Sequence, residues 1–94
     1  MTTETPALTA ARAEALFTTG LATGSRPEFE VVEEAIRAAV RTHGGVRGCA
    51  ADVAAEFGDH PECAVPRMRW ALDLVVLRYP PRRSRRTHRW ALVA

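Results

Sequence analysis

Four stretches of the chain place apolar residues at helical spacing. The first, Ala7 to Thr19, follows Thr5-Pro6 and carries Leu8, Ala11, Ala15 and Leu16 along one side. Gly20 and Gly24 bracket a link of small residues behind it. The second puts Phe29, Val32, Ile36, Ala39 and Val40 in one stripe. Its opening, Ser25-Arg26-Pro27-Glu28, sets a capping Ser three residues ahead of a Glu, with Pro in the first turn where a missing N–H costs nothing. Arg37, Arg41 and His43 fall near its end, where cations meet the negative pole of the helix dipole, and Gly44-Gly45 stops it. The pattern predicts a helix over roughly Pro27 to His43.

The third stretch, Arg47 to Phe57, offers Ala50, Val53, Ala54 and Phe57 on one face and ends at Gly58. Asp59-His60-Pro61-Glu62 then repeats the order capping residue, basic residue, Pro, Glu. A fourth helix is predicted from about Pro61 to Arg78, with Ala64, Met68, Ala71, Leu72 and Val75 on one face. Pro66 interrupts it, because an interior Pro removes a hydrogen bond and clashes with the carbonyl four residues back, at about 3 kcal/mol. Two arrangements stand open: a separate turn at Pro61 to Val65, with the long helix starting at Pro66, or one helix kinked there. Tyr79-Pro80-Pro81 ends helical structure. The expected fold is all-α, a four-helix domain over residues 1–79 followed by an Arg-rich C-terminal extension over residues 80–94.

Length and composition narrow this picture. Ninety-four residues make one small domain whose modest core is marginal unless well packed, metal-bound or oligomeric. No apolar run approaches the roughly 18 residues of a membrane span, and Met1 to Leu16 lacks the basic-then-apolar layout of a secretory signal. A cytoplasmic location is the expectation. All thirteen basic side chains are Arg, with no Lys, Asn or Gln, which reads as the codon bias of a GC-rich genome such as an actinomycete's.

Charge changes the picture more than composition does. The total of +2 conceals a split: residues 1–62 carry a balance of −5, and residues 63–94 a balance of +7. Such asymmetry points to an acid-binding C-terminal region, nucleic acid being the commonest candidate. Arg82, Arg83, Arg85, Arg86 and Arg89 lie within eight residues, next to Trp90. Each guanidinium can fork two hydrogen bonds onto a phosphate, and an indole can stack on a base. A solvated, solubilising terminus is the competing explanation.

The stretch from Val53 to Val65 resembles the core of a helix-turn-helix unit. Ala54 supplies the small residue where two helices meet, Gly58 the residue for a sharp turn, and Arg67 and Arg69 the exposed cations of the second helix. Glu62 and Pro66 depart from that pattern, and the Ser, Thr, Gln or Asn that read base edges are missing from Pro61 to Trp70. A wider stretch, Leu8 to Val76, with Glu56 to Glu62 its most distinctive string, is similar to short actinomycete proteins of unassigned function. That resemblance implies a small, soluble, largely helical intracellular protein and transfers no catalytic residue.

Other chemistry finds little support. His43, Cys49, His60 and Cys63 are the soft and borderline ligands a Zn²⁺ site would need, but their spacing matches no familiar finger, and two buried small hydrophobes explain the cysteines as well. No metal or other cofactor is expected. His60 beside Asp59 and Glu62 has the residues of an acid–base pair without a nucleophile or phosphate loop to serve, so no enzyme is expected either. Trp70 reads as a core residue or as an aromatic interface anchor. Glu28, Glu30, Glu33 and Glu34 read as a solvated helix face, or as a surface able to mask the Arg-rich extension.

Two functions are therefore expected in competition. One is a nucleic-acid-associating or regulatory protein that binds DNA or RNA phosphates through Arg82, Arg83, Arg85, Arg86 and Arg89, with Trp90 stacking and Arg67 and Arg69 assisting. The other is a helical module that docks onto a larger protein partner through Trp70, Phe29 and the Glu-rich face. No membrane partner is expected.

Overall fold

The Ala-rich first helix turns out to be the element that every other helix packs on. In the computed structural model, which describes residues 6–80, four helices follow one another: α1 (Pro6–Phe17), α2 (Phe29–Thr42), α3 (Val46–Asp59) and α4 (Pro61–Arg78). Successive helical residues point about 100° apart. So Ala15, Leu16 and Phe17, all buried, face three directions. Leu16, with Ala13, joins Val32, Trp70, Ala71, Leu74 and Val75 in the main core between α1, α2 and α4. Ala15 meets Ala39 and Cys49 where α2 and α3 converge. Phe17 meets Val53 and Ala64 between α3 and α4. Arg12 lies over the Tyr79 ring while the Phe17 carbonyl meets Arg67, so α1 and α4 run antiparallel. No helix among the described residues is long and apolar enough to cross a membrane.

The all-helical expectation holds, and the boundaries shift for identifiable reasons. α1 ends at Phe17 rather than Thr19, because the Thr18 and Thr19 hydroxyls each donate back to the carbonyl three residues before, at 2.7 Å, and close the last turn. α2 begins at Phe29 rather than Pro27. Ser25 does not cap it: its hydroxyl donates to the Ala22 carbonyl at 2.7 Å, and Glu28, the residue before the helix, makes no side-chain cap. The segment is needed elsewhere, since the carbonyls of Ser25, Arg26 and Pro27 all accept hydrogen bonds from α4. Tertiary demand has overridden a local capping signal.

α3 and α4 are separated by His60 alone, and Asp59, expected as a cap, is the last residue of α3. α4 begins at Pro61, ends at Arg78 and runs unbroken through Pro66. Pro66 and Glu62, whose carbonyl it leaves without an N–H, are both exposed, so water can replace the lost bond. The buried face of α4 carries Ala64, Trp70, Ala71, Leu74 and Val75. Leu72, expected inside, points outward, and Trp70 takes the inner place. On α3 only Cys49 and Val53 are buried; Ala54 is exposed, and Phe57 covers part of its ring by stacking on Phe17 at 6.1 Å.

Candidate interaction face

The inner side of α4 is fastened by four long side chains that reach past the core to the backbone and side chains around it. Arg67 donates from Nε to the Phe17 carbonyl and from Nη2 to the Thr19 carbonyl, both at 2.8 Å. Its Nη1 donates to the Thr23 hydroxyl at 2.7 Å, and the guanidinium lies 4.8 Å from the centre of the Trp70 ring. These carbonyls belong to the unsatisfied, negative end of α1, where a cation is favoured. Burial lowers the Arg67 pKa from its ordinary value. Trp70 Nε1 donates to the Ser25 carbonyl at 2.8 Å, and Arg78 Nε to the Pro27 carbonyl at 2.9 Å.

Tyr79 completes the set. Its hydroxyl donates to the Glu33 carboxylate, Phe29 meets its ring edge-on at 5.2 Å, and Arg12 stacks over it at 3.9 Å. Phe29 thus serves a packing contact, one edge of its ring left to solvent. The Tyr79 hydrogen bond holds the Glu33 carboxyl below its ordinary value, with Arg37 adding to the effect against burial. Burial, then the bond to Glu33, pushes the Tyr79 phenol above its ordinary range. Glu33, depressed, stabilises the fold above its ordinary value of 4.5, and that contribution is lost as pH falls through the lowered value. Tyr79, raised, stabilises it below the ordinary value of 10.0, and that contribution fades as pH rises beyond it. Tyr79→Phe is expected to cost about 1 kcal/mol at neutral pH and to flatten both limbs of a pH-stability profile measured by urea unfolding. A mutant with both limbs intact would assign them to other groups.

Fastening the inner side fixes what the outer side presents. Exposed positions recur along α4 at Glu62, Val65, Pro66, Arg69, Leu72, Asp73, Val76 and Leu77. Val65 is 41% exposed, Leu72 39%, Val76 52% and Leu77 45%. Between Val65 and Leu77 the stripe is apolar except for one cation, Arg69, and one anion, Asp73. Neither makes an ion pair or hydrogen bond among the described residues. Beside the stripe lies an open groove of about 550 Å³, walled by Ser25 and Arg26 on one side and Trp70, Asp73, Val76 and Leu77 on the other. Contiguous exposed apolar surface of this kind on a small domain marks interaction sites more often than scattered single residues do.

No family model, curated protein or solved structure matches this chain.

The residues singled out from the sequence are not brought together. Arg67 has donors from all three guanidinium nitrogens committed to the fold, whereas Arg69 stands on the outer stripe. Arg82, Arg83, Arg85, Arg86, Arg89 and Trp90 lie outside the described residues. Cys49 is buried, its Sγ 3.8 Å from the Ala39 carbonyl, and burial pushes its thiol pKa up. Cys63 is exposed on the first turn of α4. His43 lies 3.8 Å from Asp52, and His60 3.9 Å from Glu62. Among the described residues no group of three or more His, Cys, Asp and Glu side chains is placed to hold a metal ion. Of the four acids on and before α2, Glu33 pairs with Tyr79 and Arg37, and Glu34 with Arg41 at 3.6 Å.

The outer stripe was not singled out from the sequence, although its residues were visible there. Arg67 and Tyr79 as fasteners carry no local signal at all, since their acceptors lie 44 to 50 residues away for Arg67 and 46 for Tyr79.

Proposed function

We propose that the chain is a small helical interaction module, a binding protein rather than an enzyme, whose docking surface is the outer face of α4 with the groove beside it. One observation carries this reading: Val65, Leu72, Val76 and Leu77 form a continuous exposed stripe on a helix whose opposite side is fastened by Arg67, Trp70, Arg78 and Tyr79. A rigid helix offering i, i+7 and i+11 apolar anchors suits packing against another apolar helical face. The helix-turn-helix reading of Val53 to Val65 belongs here too: a corner at His60 would present α4 outward, toward a partner rather than into a groove of DNA, because its outer face is apolar. A photo-crosslinking residue introduced at Leu72 or Val76 in cells is expected to give a protein adduct, and one at exposed Glu30 on α2 is not. Absence of any adduct from both α4 positions would remove the proposal.

A second reading is favoured by the charge split. The described residues carry ten acids against eight Arg, so the basic excess of the chain lies in the C-terminal extension. Arg82, Arg83, Arg85, Arg86 and Arg89 would then bind phosphates of DNA or RNA, with Trp90 stacking, Arg69 assisting from α4 and Arg67 contributing little beyond the fold. Counterion release makes such binding fall steeply with salt. Deleting residues 82–94 is expected to abolish binding to a DNA duplex in a salt-titrated assay; unchanged affinity after deletion would refute the reading.

A further inference from the structure

We infer that the occupant of the α4 face is a second copy of this chain, its α4 running antiparallel to the first about a two-fold axis level with Ala71. The inference rests on the docking role proposed for that face and names its partner.

A two-fold interface uses one patch twice, so the patch must be its own complement. In an antiparallel pair of helices, a residue above the axis meets the residue an equal distance below it on the other copy. With the axis at Ala71, Arg69 meets Asp73 of the second copy, and Asp73 meets Arg69 of the second copy. Val65 falls opposite Val76, Pro66 opposite Leu77, and Leu72 beside its own counterpart, each within about 3 Å of level, two residues of helical rise. Val65 and Val76 share one flank of the stripe and Pro66 and Leu77 the other, as an antiparallel two-fold requires, while Arg69 and Asp73 sit close to its midline, about 40° apart around the helix. Every exposed residue from Val65 to Leu77 therefore finds a matching mate, apolar with apolar and cation with anion.

The charges make this arrangement specific. Arg69 and Asp73 are four residues apart on one helix and could have paired with each other, but they do not. Cation-first is the weaker order for such an intrahelical pair. Each is left as an unpaired charge on an otherwise apolar stripe, solvated in the free chain and open to an opposite charge from a second copy. A parallel pairing would set Arg69 against Arg69 and Asp73 against Asp73, so the same two residues exclude it. The exposed stripe is short, which puts the interface near the lower end of specific protein contacts.

Sedimentation equilibrium of the full chain, nuclease-treated and held under reducing conditions so that exposed Cys63 forms no disulfide, tests this directly. A reversible dimer is expected between about 5 and 200 µM, with a Kd in the micromolar range. Arg69→Asp and Asp73→Arg each place like charges at both symmetry-related contacts and should each raise the Kd at least tenfold. The double reversal, Arg69→Asp with Asp73→Arg, restores both pairs and should return the Kd to within about threefold of the parent, a recovery that lost apolar contact alone would not produce. Both positions are exposed, so circular dichroism should show all three variants folded. A monomer across the whole range overturns the inference, as does a double reversal no tighter than the single changes. An α4 crosslink to a different protein from a monomeric chain overturns the second copy while keeping the docking face; no crosslink of any kind overturns both.

Discussion

Gly48→Ala is expected to destabilise the protein by more than about 3 kcal/mol, beyond the ordinary cost of overpacking. The sign is opposite to what helix propensity dictates, since Ala is favoured over Gly inside a helix by about 1 kcal/mol. Gly48 lies in the first turn of α3, and a Cβ built on it would stand 1.6 Å from the carbonyl oxygen of His43. That oxygen is backbone, fixed by the end of α2, and no rotamer change can move it aside. The approach is close because Gly44 and Gly45, both at positive φ, reverse the chain within two residues and bring α3 back against the end of α2. Relief requires α3 to lift away, which would break the contact of Cys49 with Ala15 and Ala39. A unit of 75 described residues holds roughly 4 to 11 kcal/mol in total. Urea unfolding followed by circular dichroism should therefore show a transition shifted to much lower denaturant, or none. A stability equal to or above the parent would mean the α2–α3 corner is open at this point.

Arg67→Ala is expected to cost about 3 kcal/mol. Three hydrogen bonds from a charged donor are lost, each worth about 1.5–3 kcal/mol when isolated, discounted because the site is partly exposed and water can enter. Two of the orphaned acceptors, the carbonyls of Phe17 and Thr19, close the end of α1, so the loss falls on the helix that all others share. Arg67→Lys should recover less than half, because one ammonium cannot span three acceptors that the planar fork reaches together. Thr23→Val should remove about 1 kcal/mol in the parent and almost nothing beside Arg67→Ala, since the two share a single bond. A cost below about 1 kcal/mol for Arg67→Ala would make the clasp incidental, and Arg67 would become available to phosphate after all.

Much of the helical framework was legible because its punctuation is chemical. Pro61 and Tyr79-Pro80 bound α4 to the residue, and Gly44-Gly45 ends α2 within one. Capping was misread at Ser25, whose hydroxyl donates back to the Ala22 carbonyl while Trp70, 45 residues on, takes its carbonyl and holds the segment outside the helix. Pro66 could not be decided from sequence, because its cost depends on whether the orphaned carbonyl sees water, a matter of burial. The face of α4 was misjudged along one edge for a related reason: Ala64, Ala71 and Val75 are buried as expected and Met68 partly so, but Leu72 is not. Apolar residues surround it at Val65, Met68, Leu72, Leu74, Val76 and Leu77, so periodicity alone does not say which stripe meets the core. Burial chose Trp70 and Leu74 and left Leu72 outside. The candidate site is the remainder of that choice. It became visible only once the inner face was assigned.

Ala15, Leu16 and Phe17 have a consequence for how the molecule comes apart. Three adjoining residues on one helix supply a wall to each of the three apolar clusters, so no cluster can open on its own without pulling at the same five or six ångströms of backbone. Such a molecule has no half that survives the loss of the other. Cut it before α2 or before α3 and all three clusters lose a wall; cut it before α4 and only the small cluster of Ala15, Ala39 and Cys49 stays whole. Its small size thus yields a single cooperative unit rather than a set of separable parts, and a partner seated on α4 would grip the entire fold at once.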